Sequence, residues 1–173
     1  MSLVKIHIYL FLLFFPISIF SQDIQPLEMK GMLEAHNECR ASVKLTPLVW
    51  SKKLAKKSLK WAKKLKRKNG CLSKHSPNSK RENIGENIAW SKGYSMQPRV
   101  VAEFWISEQK YFDFDTRICK TDIDSCGHYT QIIWRDTKKV GCAMVQCGDE
   151  QVWVCQYEPA GNIFFKDKIM PAY

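Results

Sequence analysis

Past its first 21 residues the chain holds three histidines, His36, His75 and His128. Glu82, Glu86, Glu103 and Glu108 lie between the last two. Two imidazoles with two carboxylates can bind zinc or move protons. Spacing along the chain does not say which of them converge. His36 falls in the middle of a helical pattern, where a buried hydrogen-bonding role is expected rather than a ligand's. His75 sits in a polar stretch, SKHSPNSKREN, and His128 follows the glycine of GHYTQIIW. Nucleophilic catalysis lacks its usual parts. There is no GxSxG turn for a serine and no glycine loop to cradle phosphate.

Seven cysteines offer the second kind of chemistry: Cys39, Cys71, Cys119, Cys126, Cys142, Cys147 and Cys155. In an oxidising compartment such a set forms bridges, and no CxxC spacing favours a zinc site instead. KKVGCAMVQC and QVWVCQYE read as two strands around a turn at Gly148-Asp149. A hairpin centred there sets Cys142 opposite Cys155, and opposed strand residues lie ~4.5–5.5 Å apart at Cα, within disulfide reach. Cys119–Cys126 would close a short loop containing Asp122, Asp124 and Ser125. Cys39, Cys71 and Cys147 then remain for one bridge and one odd thiol.

The elements that must carry these groups follow from pattern. Residues 27–43 show apolar side chains at helical spacing and should end before Pro47. Ser51 can cap a helix running to about Lys68, with Asn69-Gly70 as its stop. Pro98 can open another over 98–112. From Tyr129 the density of β-branched and aromatic residues rises, and the last third reads as strands. Helices first and strands later give an α+β class, helices packed on an antiparallel sheet.

The helix over 51–68 carries ten basic residues and no acid in KKLAKKSLKWAKKLKRK. At 100° per residue Leu54, Ser58, Trp61, Ala62 and Leu65 share an arc of ~100°, extended by Ala55 and Leu59. Lys53, Lys56, Lys57, Lys60, Lys63, Lys64 and Arg67 fill the other side. Like charges at i,i+3 and i,i+4 repel by a few tenths of a kcal/mol per pair. A face selected only for solubility would mix signs, so an anionic membrane surface or polyanion is expected opposite it. Nucleic acid is not, because no aromatics interleave with the basic face.

Length and composition bound the rest. The 173 residues are 45% hydrophobic, enough for one compact domain, and the net charge is +10. Lys5 precedes a largely apolar run over residues 8–20. At 13 residues it is shorter than the ~20 a membrane span needs. It reads as a secretory signal cleaved after Ser21, leaving a single domain over 22–173 and an extracellular destination.

Five segments together resemble one family. GHYTQIIW at 127–134 and VCQYEPAGN at 154–162 are similar to the two signatures of the CAP superfamily, the cysteine-rich secretory, antigen-five and pathogenesis-related proteins. HNECR at 36–40, IGENIAW at 84–90 and FWISEQKYFDF at 104–114 resemble its remaining motifs. The likeness is strongest to members of the Golgi-associated and glioma pathogenesis-related types. It implies a three-layer α-β-α sandwich with a central antiparallel sheet. It implies a cavity in which His75, Glu86, Glu108 and His128 can hold Zn²⁺ or another divalent cation, none being required. The implied bridges are Cys71–Cys147, Cys119–Cys126 and Cys142–Cys155, with Cys39 a free thiol. Family members are mostly non-enzymatic extracellular modules; several bind sterols or other lipids, and the Golgi-associated relative binds acidic phospholipid surfaces. Tyr111, Phe112 and Phe114 fall where sterol-binding members carry an aromatic loop, though core packing is the simpler role for these rings. A protein receptor, or metal-assisted hydrolysis in the same cavity, are the alternatives the resemblance leaves open.

Overall fold

The computed structural model describes residues 23–69, 71, 73–77, 83–165, 168–169 and 172, with backbone alone at 67–69, 164–165 and 168–169. Residues 1–21, read from the sequence as a secretory signal, lie outside the described residues.

A four-stranded sheet forms the centre, in the order β1 (Val49–Trp50), β5 (Lys139–Cys147), β6 (Glu150–Glu158), β2 (Gly85–Lys92), while β3 (Phe112–Asp113) and β4 (Ile118–Cys119) pair in a separate ribbon. β5, β6 and β2 run antiparallel, as expected, while the two-residue β1 adds to β5 in parallel, so the sheet is mixed. α2 (Lys52–Asn69) covers one face through β5 and β6. α1 (Met32–Ser42), α3 (Pro98–Ile106) and α4 (Ile123–Ile132) pack against one another on the other side. The result is helix, sheet, helix in three layers.

The pleat of β6 shows how the layers are held. Val152 and Val154 join Ala62 and Leu65 of α2 in one core. Trp153, Cys155 and Tyr157 enter the other core, with Met32, Trp105, Tyr129 and Ile132. Successive strand side chains point to opposite faces, so one strand glues both layers. The hairpin register places Cys142 opposite Cys155, and the two are bridged. Cys71–Cys147 and Cys119–Cys126 are bridged as well. Cys39 is free and buried, and burial pushes its thiol up to about 11, which keeps it protonated and unreactive.

α2 follows its sequence pattern closely. The amide of Leu54 donates to the Ser51 hydroxyl at 3.3 Å, the cap read from the sequence. Leu54, Ser58, Ala62 and Leu65 are buried. Ser58 donates to the carbonyl of Gly141 at 2.7 Å. A Cβ on Gly141 would come within 2.3 Å of the Ala55 amide nitrogen, so glycine is what lets this helix lie so close to β5.

Three expectations change. The helical pattern over 27–43 breaks into a 3₁₀ turn at Leu27–Met29 and then α1, because Gly31 between them adopts φ +90°. The helix expected over 98–112 is α only to Ile106 and tightens into a 3₁₀ turn over Ser107–Tyr111. Tyr129 to Ile132 lie in α4 rather than in a strand. Asp122 caps that helix by accepting from Ser125 N, and its apolar side chains fill the helical-layer core, which outweighs their strand propensity.

Candidate metal-binding cavity and basic helix face

β2 is an edge strand whose alternation prepares a cavity. Glu86 shares a face with Ile88, which packs under α2. Asn87 points the other way, toward α4, where its side-chain amide donates to the His128 carbonyl at 3.0 Å. His75, Glu86, Asn87, Asp124, Gly127 and His128 are among the residues lining a cavity of about 170 Å³ at this edge.

The four residues expected to act together arrive as two pairs. His75 Nδ1 lies 3.0 Å from Glu86 Oε1. Glu86 also accepts from Ser76 N and Ser76 Oγ at 2.8 Å, and from Gln156 Nε2 at 3.0 Å. Burial pushes its carboxyl up, but the bonds from His75, Gln156 and Ser76 outweigh that and hold it below the ordinary value. The second pair is His128 Nδ1 and Glu108 Oε1, 2.6 Å apart. Glu108 Oε2 accepts the backbone amides of His128 at 3.0 Å and Tyr129 at 3.3 Å. The Trp105 ring stacks on the His128 imidazole at 6.0 Å between centroids.

A carboxylate on Nδ1 fixes the proton there and leaves the Nε2 lone pair for a cation, as metal-binding histidines are commonly held. The donor chemistry therefore fits a divalent ion. Among the described residues no three His, Cys, Asp or Glu side chains already stand together as a formed metal cluster. Side chains must move to close the site, and 52% of the His75 side chain is exposed.

His36 has the buried role expected of it. Its Nδ1 lies 2.7 Å from the Met32 carbonyl, which can only accept, so Nδ1 carries the proton. Nε2 then accepts from the Tyr157 hydroxyl at 2.8 Å. Tyr157 in turn accepts from Asn87 Nδ2 at 3.2 Å, which links this core chain to the cavity wall. Burial, with the Arg40 charge adding a little, pushes His36 down to about 4 despite the Met32 bond. The native state thus binds fewer protons than the unfolded one below the ordinary histidine value. Stability is complete above about pH 6.5 and falls as pH drops toward 4, by roughly 3 kcal/mol in all. Urea unfolding at pH 7 and pH 4.5 should show this loss, and His36→Gln should flatten that slope. An unchanged slope in the variant would remove His36 as its cause.

The other expected surfaces divide. Lys53, Lys56, Lys57, Lys60 and Lys63 are exposed, and Lys64 lies over the Trp61 ring at 5.0 Å. The Arg67 side chain lies outside the described residues. Of the three rings, Phe112 is 1% exposed and packs on Tyr129, which is the core role. Tyr111 and Phe114 are about half exposed, and Phe114 borders an open depression that Lys110 and Lys120 also line. Sequence reasoning passed over Ser76, Asn87 and Gln156, whose only signal was adjacency to His75 and Glu86 in the chain or across the sheet. The described residues contain no helix long and apolar enough to cross a membrane.

Comparison with known proteins agrees with this architecture. Pathogenesis-related protein 1C of Nicotiana tabacum is 36% identical over 135 residues, covering 78% of this chain and 76% of that protein. GLIPR1-like protein 1 of Homo sapiens is 38% identical over 150 residues, 79% of this chain and 60% of that longer protein. The crystal structure of NaASP2 with Zn²⁺ superposes with a TM-score of 0.67 at 29% identity, covering 81% of this chain and 83% of that one. Residues 33–157 match the cysteine-rich secretory protein family, and the chain belongs to this CAP family.

Proposed function

We propose that the protein is a secreted, non-enzymatic CAP module that associates with anionic lipid surfaces through α2 and carries a cavity for a divalent cation. One observation carries the first part. The apolar arc of α2 is spent on the sheet, while the outward side is lysine after lysine with no acidic residue in the helix. Such a face adds about 1 kcal/mol of attraction per lysine near an anionic bilayer. Tyr111 and Phe114 are rings that can reach a lipid or sterol, whereas Phe112 is committed to the core. The paired imidazoles support the cation, as does the relative crystallised with Zn²⁺. Three disulfides support an oxidising, extracellular setting.

Vesicle flotation tests the surface. The protein should rise with phosphatidylserine vesicles and stay behind with phosphatidylcholine. Binding should fade as salt approaches 1 M, where the Debye length shrinks to ~3 Å. Equal flotation with both lipids would sink the reading. Capture by a soluble sulfated polyanion in preference to vesicles would reassign the face.

A further inference from the structure

Both glutamates expected as ligands are engaged by the protein, Glu86 to its full acceptor capacity. Glu86 takes four hydrogen bonds, from Ser76 N, Ser76 Oγ, His75 Nδ1 and Gln156 Nε2, and its side chain is fully buried. A carboxylate has about four lone-pair sites, so nothing remains for an ion. Glu108 gives one oxygen to the His128 ring and the other to two backbone amides. It does not line the cavity.

A third carboxylate does. Asp124 faces the same 170 Å³ space as His75 and His128. It is exposed, and it makes no hydrogen bond or ion pair with any described residue. Its backbone is well held: the Cys119–Cys126 bridge closes the loop around it, and Asp122 caps the turn that contains it. The position is fixed and the side chain is uncommitted.

We propose that Asp124 supplies the carboxylate ligand of a divalent cation held between His75 and His128, and that Glu86 and Glu108 only orient the two imidazoles. The inference rests on the reading that the cavity holds such a cation. Two neutral imidazoles and one carboxylate, with water in the open position, form a donor set suited to Zn²⁺. Asp124 neutralises half the ion's charge, which buried and saturated Glu86 cannot do by contact. Closing the set calls for movement of the Asp124 side chain, which is exposed, and of the half-exposed His75 with its Nδ1 kept on Glu86.

The full chain, stripped with a chelator, is titrated with Zn²⁺ by calorimetry and with Co²⁺ by visible absorption. Asp124→Asn should weaken Zn²⁺ by about 10–100-fold, the range that loss of even an outer-sphere partner produces, and should shift the Co²⁺ bands. Asp124→Glu should recover part of the affinity. Glu108→Gln should weaken binding yet keep the native Co²⁺ spectrum, because the ligand atoms stay the same. Asp124 is exposed, so its variants should melt like the native protein. If Asp124→Asn keeps native affinity and spectrum, the assignment is overturned while the cavity reading stands. If the native protein takes up no Zn²⁺, the cavity reading falls and this assignment with it.

Discussion

Arg40→Leu is expected to lower the free energy of unfolding by roughly 3–5 kcal/mol, because it strips donors from several buried carbonyls at about 1–3 kcal/mol each before relaxation. Arg40 is 0% exposed. Its Nε donates to the Thr46 carbonyl at 2.8 Å, and its Nη1 to Ile132 and Trp134 carbonyls, both at 2.8 Å. Nη2 reaches the Thr137 carbonyl at 3.3 Å. Burial pulls its pKa down to about 10, which leaves it charged at neutral pH. Its counter-charge is the carbonyl end of α4, where the helix dipole concentrates partial negative charge. Leucine would fill much of the volume but leave several buried carbonyls unpaired, each costing about 1–3 kcal/mol before relaxation. Lysine lacks the planar fork that reaches several carbonyls at once, so Arg40→Lys should be a poor rescue. Denaturant unfolding with the disulfides intact measures the change. A loss below about 1 kcal/mol would show that the carbonyls find other donors, and that Arg40 is not the tie between α1 and the end of α4.

The second large effect is on binding. Reversing Lys56, Lys60, Lys63 and Lys64 to glutamate should remove at least about 4 kcal/mol of attraction to an anionic vesicle, roughly a thousandfold or more in partitioning, since each reversal also adds repulsion. Lys56, Lys60 and Lys63 are exposed, and none of the four belongs to the buried arc. The fold should therefore survive. Glutamates at 56 and 60 would attract Lys52, Lys53 and Lys57 at i,i+3 or i,i+4 spacing but repel along 56–60–64, so the two effects offset and the melting temperature should stay near native. Flotation with phosphatidylserine vesicles, beside a thermal melt, separates the two outcomes. Undiminished flotation by a well-folded variant would move the membrane contact away from α2, and Tyr111 and Phe114 would become the place to look.

Some of this architecture was open to reading along the chain. The range, cap and buried arc of α2 follow from a 3.6-residue pattern that no distant contact had to override. The β5–β6 hairpin and the Cys142–Cys155 bridge follow from a turn and the two-residue strand period. The five motifs marked the family, and with it the layers and the other two bridges. β2 escaped notice because six of its eight residues are buried, and burial on both faces erased the alternation that marks a strand. α4 was misread because Tyr129, Thr130 and Ile132 favour strands in isolation. Their burial among Trp105, Phe112 and Tyr157 is settled by partners far away in the chain.

The cavity divides along the same line. Residue types announced metal-capable histidines and glutamates, and the family motifs singled out His75, Glu86, Glu108 and His128. Only the folded chain shows that each glutamate is consumed in holding an imidazole, and that Asp124 stands uncommitted beside them. The physical reason is range. Periodicity, capping and turn chemistry act over a few neighbouring residues, so they can be written in one stretch of sequence. Which oxygen meets which nitrogen depends on groups ten to seventy positions apart, and that distance closes only when both layers have packed on the sheet.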